Sequence, residues 1–152
     1  MTTSRAAILA GTVAGALDIG AAALINHQGP AIILQSIASG LLGLGAYSGG
    51  YPTILLGLAL QLAMSIAIAG IYAVAAMRLN WLLRRPVSAG LAYGAGVFVV
   101  MNLVVVPLSA FAPRPTHISL SWLALNVGAM LIFGLIVASL VTRLVDEGPA
   151  AA

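Results

Sequence analysis

Asp18 lies inside the apolar run from Ala6 to Ile25, and no other acid falls in any such run. A charge in a membrane span costs at least about 2.5 kcal/mol, so an acid there needs a partner or a task. Gly11, Gly15, Asp18 and Ala22 recur at i, i+4, i+7 and i+11 and share one helix face. The Gly11-x3-Gly15 pair lets another backbone come close to that face, which turns Asp18 inward. Three later apolar runs each carry one amide: Gln61, Asn102 and Asn126. With straight helices, all four polar groups sit about two thirds of the way across. They are expected to form one polar layer.

Two chemistries fit that layer. Amides between transmembrane helices act as glue, at about 0.6 kcal/mol per hydrogen bond, with a neutral Asp18 donating to one of them. Alternatively, a single membrane carboxylate serves as a proton- or cation-binding site, as in pumps and exchangers. The residues alone leave both open.

Other chemistry is thinly represented. Cysteine is absent, so there is no disulfide, thiolate metal site or thiol nucleophile. His27 and His117 fall in loops without further ligands, so no metal is expected. Ser36, Ser39 and Ser109 lack a His–acid partner at a recognisable spacing. Gly43, Gly45, Gly90, Gly94 and Gly96 lie in apolar runs with no following Lys-Ser/Thr. Close helix packing, above all at Gly90 and Gly94, explains them better than a phosphate loop. Tyr72 and Tyr93 are candidates for polar contacts, with buried or interfacial aromatics as the default reading. No enzyme and no cofactor are expected.

The elements that carry these residues follow from composition. Of 152 residues, 62% are apolar and 6% charged, against about 25% charged in soluble domains. Nine charges cannot solvate a globular surface of this size, which excludes a soluble fold, a disordered chain and a nucleic-acid binder. An all-α, polytopic membrane bundle remains. A span needs roughly 20 apolar residues. Stretches 6–25, 53–77, 87–110 and 119–141 qualify, with Pro107 in the last turns of the third. Stretch 31–46 is too short and reads as a re-entrant or interfacial helix, with Gln35, Ser39 and Gly43 on one polar face. Residues 1–142 form one domain, and 143–152 are expected to be a flexible tail. The first run reads as a retained span, because Asp18 interrupts the core that a cleaved signal peptide would need.

Arginine placement sets the orientation. With four spans, Arg5, Arg78, Arg84, Arg85 and Arg143 share one side and Arg114 stands on the other. The positive-inside rule then puts both termini in the cytoplasm. Arg78, Arg84 and Arg85 face lipid headgroups there. Tyr47, Tyr51 and Trp122 fall at the outer interface and Trp81 at the inner one. The bilayer is the expected partner, alongside a homo-oligomer or larger membrane partner.

Several stretches resemble the YagU-like family of small bacterial inner-membrane proteins of uncharacterised function. They are Gly15-Ala-Leu-Asp-Ile-Gly20, Ile33-Leu-Gln-Ser-Ile-Ala-Ser-Gly-Leu-Leu-Gly43, Ala46-Tyr-Ser-Gly-Gly50, Gly90-Leu-Ala-Tyr-Gly94 and Met101-Asn-Leu-Val-Val-Val-Pro-Leu-Ser109. The resemblance implies a multi-span protein of the bacterial inner membrane and transfers no reaction. The expected role is structural, accessory or stress-related. The alternative is a small proton- or cation-coupled transporter or channel centred on Asp18.

Overall fold

The computed structural model describes residues 2–111 and 119–146. Of these, 92% are helical and none is in a strand. The long elements are α1 (Thr3–Asn26), α2 (Pro30–Leu42), α3 (Gly50–Arg78), α5 (Pro86–Val100) and α7 (Leu120–Asp146). Short pieces join them. A 3-10 stretch, Gly43–Ser48, links α2 to α3, and α4 (Asn80–Arg84) fills the turn before α5. A π-helical turn, Met101–Val105, links α5 to α6 (Val106–Leu108). The chain is a multi-pass helical membrane protein, and among the described residues five helical stretches are long and apolar enough to cross a bilayer. The second is Pro30–Ser48, the run expected to be too short, because α2 continues into the 3-10 stretch.

One of the five starts and ends at the same end of the bundle. Thr3 Oγ1 meets Met77 Sδ at 2.9 Å, and Asp18 meets Gln61. Between them Gly11 packs on Ile66. Rising numbers in α1 thus match falling numbers in α3, so these helices are antiparallel. The end of α1 and the start of α3 therefore lie together, and Pro30–Ser48 must begin and finish there. Its path is also broken. Gly43 adopts φ 59 and ψ −146, a backbone conformation open to glycine, and α2 stops at that point. The polar face expected on this segment packs inward. Ser39 is fully buried, Gln35 donates to Thr53 Oγ1 at 3.4 Å, and Gly40 accepts from Ala110 N–H at 2.8 Å.

Helix ends differ from expectation where local chemistry decides them. The α1 helix closes on His27 in the left-handed region (φ 52), with Gln28 N–H bonded to Ala23 O at 3.1 Å. Pro30 opens α2 at its first turn, where a missing N–H costs nothing. Pro107 does more than end its span. It offers no N–H to the carbonyl one turn back, and its ring crowds that carbonyl, so the preceding turn widens into the π form. The expected tail at 143–152 begins too early, because α7 continues through Arg143 to Asp146. A charge does not end a helix. The remainder of that tail lies outside the described residues, as do Arg114 and His117.

The bundle runs α3–α1–α7–α5, and its close contacts are between backbones. A β-carbon at Gly11 would lie 2.5 Å from Ile66 Cα, and one at Gly15 would lie 2.6 Å from Ser65 Oγ. On the other side, one at Gly90 would lie 2.9 Å from Leu135 Cα, and one at Gly94 would strike Met130 O. Gly134 faces both Gly90 and Gly94. These small residues bring backbones together, which is how helices gain contact where lipid is as apolar as leucine. Tyr72 and Tyr93 stack edge to face at 5.0 Å, and Tyr72 is fully buried. Tyr93 Oη donates to Ile68 O at 2.6 Å, bridging α3 and α5.

Gly96 differs from its neighbours, since nothing lies within 4 Å of a β-carbon built there. Gly94→Val should therefore destabilise the purified protein by about 2–3 kcal/mol in thermal or SDS unfolding. Gly96→Val should change stability by less than about 0.5 kcal/mol. Equal losses at both positions would contradict this packing.

Candidate functional site: a carboxyl–amide pair inside the bundle

The close approach of α1 and α3 builds the site. Gly15 sits against Ser65, which lets Asp18, three residues further along α1, reach Gln61 on α3. Gln61 Nε2 donates to Asp18 Oδ2 at 2.9 Å and lies 3.4 Å from Gly15 O. Gln61 is buried and Asp18 half-buried. Among the described residues, Gln61 is the one side chain that donates to Asp18.

The expected layer of four is instead a pair. Asn102 is exposed and donates to Phe98 O at 2.9 Å in its own helix. Asn126 is half-buried and donates to Trp122 O at 2.8 Å, again one turn back. Asparagine is short enough to satisfy its amide on its own backbone, and both residues do so. Depth alone brought the four together in the sequence. Direction around the helix separates them.

Two small, partly open voids border Asp18, and the first also borders Gln61. One, of about 40 Å³, is lined by Asp18, Gln61, Ser65, Met64, Met101 and Met130, with apolar neighbours. The other, of about 50 Å³, lies between α1 and α7 and is lined by Asp18, Leu17, Ala129 and Phe133 among others. At about 10–15 Å³ per water, each holds only a few molecules. A larger cleft of about 430 Å³ opens between α3 and α5. Its walls include Ile71, Tyr93, Gly96 and Val105, and they are almost wholly apolar. Met64, Ile68, Val97 and Met101 line both this cleft and the first void.

The remaining candidates fall at the ends. Arg5, Arg78, Arg84, Arg85 and Arg143 are all exposed, and the antiparallel register gathers them at one end. Trp81 is exposed at that end too. At the opposite end Trp122 Nε1 donates to Asn26 Oδ1 at 3.1 Å, tying α7 to α1, and Tyr51 is exposed. His27 is exposed and caps α1. Among the described residues no group of three or more His, Cys, Asp or Glu converges. Sequence reasoning allowed a polar contact at Tyr93 without naming its partner, and it missed the three methionines beside Asp18. Periodicity marks such residues only as apolar or aromatic. Compared with family models, curated proteins and solved structures, the chain matches none of them.

Proposed function

We propose that this chain is an integral protein of the bacterial inner membrane with a structural or accessory role, as its resemblance to the YagU-like group implies. The observation that carries this reading is the pairing of Asp18 with Gln61 at 2.9 Å beside voids that hold only a few waters. A hydrogen bond of this kind fixes the register of α1 against α3, and the glycine contacts on either side depend on that register. The reading assigns the chain no catalytic step. Both termini face the cytoplasm, since the arginine-rich end carries Arg5 and Arg143 and basic residues are retained on that side. Arg78, Arg84 and Arg85 then lie at the headgroups of anionic lipid.

A reporter fused after Ala152 should be active in the cytoplasm and one inserted near Tyr51 in the periplasm. The reverse pattern would reject this orientation.

Asp18 borders both voids, which favours a second reading, a small proton- or cation-coupled transporter or channel. Substitution at Asp18 separates the two. In the packing role Asp18→Asn keeps shape and most hydrogen bonding, so stability should change little. Asp18→Leu should cost roughly 1–3 kcal/mol, because it leaves the Gln61 amide unpaired. In the transport role Asp18→Asn should abolish coupled flux in proteoliposomes while expression stays normal. Thermal unfolding and flux of the same two variants decide between the readings.

A further inference from the structure

The void beside Asp18 has a wall composition that packing does not explain. Three of the chain's five methionines line it: Met64 from α3, Met101 from the π-helical turn and Met130 from α7. Asp18 from α1 shares the wall with them, so all four long segments reach the void. Methionine ordinarily fills irregular gaps in a core, because its chain is long, flexible and polarisable. Here three such side chains, with six other residues, line a gap of about 40 Å³ that they leave unfilled. The π turn that presents Met101 is a rare backbone form, concentrated at functional sites.

We propose that this void is a binding site for a soft, singly charged d10 cation, Cu(I) or Ag(I), held by the thioethers of Met64, Met101 and Met130 and neutralised by the Asp18 carboxylate. Thioether sulfur selects soft monovalent ions, whereas Na⁺, K⁺, Mg²⁺ and Ca²⁺ require sets of oxygen donors. The oxygen-bearing side chains in this wall are those of Asp18, Gln61 and Ser65, too few for a hard cation stripped of water. One carboxylate balances one positive charge, so the occupied site is neutral in its low-dielectric surroundings. Gln61, by holding Asp18 Oδ2, leaves the other carboxylate oxygen to the ion. The inference goes beyond the packing role and concerns binding alone, whether or not the ion is moved.

Silver is the probe, because it is soft and stable to air. The full chain in chloride-free detergent buffer is titrated with Ag(I) against a chromophoric competitor. One Ag(I) per chain is expected, with X-ray absorption showing about three sulfur neighbours. Met64→Leu, Met101→Leu and Met130→Leu conserve volume and fold, and each should weaken binding about tenfold or more. Met77→Leu, at the exposed far end of α3, should leave it unchanged. Asp18→Asn should weaken it while keeping the sulfur neighbours. Absence of stoichiometric binding would overturn the site. So would silver that follows a His27→Ala, His117→Ala double variant, or affinity unchanged in the triple Met→Leu variant. Loss of the site with the Asp18–Gln61 interaction intact would leave the packing role standing.

Discussion

The structure depends on how closely α1 can approach α3. Lipid offers an apolar side chain nearly the same surroundings as a neighbouring helix, so burial alone gives transmembrane helices little reason to associate. Contact between backbones provides one. Gly11 and Gly15 allow it, and a side chain at either position would meet Ile66 or Ser65. The same approach carries Asp18 to Gln61. Packing and polar pairing are thus one interaction seen at two places along the helix. The α5–α7 contact repeats the scheme with Gly90, Gly94 and Gly134.

The pair also determines what the bundle cannot do without moving. Asp18 is separated from the cleft between α3 and α5 by Met64, Ile68, Val97 and Met101. Those side chains are apolar, and the cleft beyond them is apolar too. In this arrangement the carboxyl is served by Gln61 and by whatever fits a void of about 40 Å³. That volume suits a few waters or one dehydrated ion. A transporter reading therefore requires the gap between α3 and α5, crossed by the Tyr93 bond to Ile68, to change in the course of a cycle.

Much of the fold was legible in the sequence because it rests on one-dimensional signals. Long apolar runs gave a helical membrane bundle. The break at 26–30 and the short polar-faced run after it gave a helix that packs at one end. Gly11 and Gly15 marked the face on which Asp18 turns inward. The partner was legible only in part. Gln61 and Asn102 look alike when ranked by depth, and only the azimuth of each helix tells them apart. Azimuth depends on packing, which a single sequence does not fix. Pro107 was visible as a disturbance, yet its effect, a widened turn at Met101, belongs to three-dimensional hydrogen bonding. The methionines were invisible for the same reason: 64, 101 and 130 are unrelated positions until four helices are assembled.

The central claim is that Asp18 and Gln61 act as a unit. A double-mutant cycle measures this directly, with Asp18→Leu, Gln61→Leu and the double variant unfolded under the same conditions in bicelles. The account predicts a coupling energy of about 1 kcal/mol between positions 18 and 61. It predicts none beyond about 0.3 kcal/mol in a parallel cycle between Asp18 and Asn102. Additive losses at 18 and 61, or equal coupling to Asn102, would contradict it.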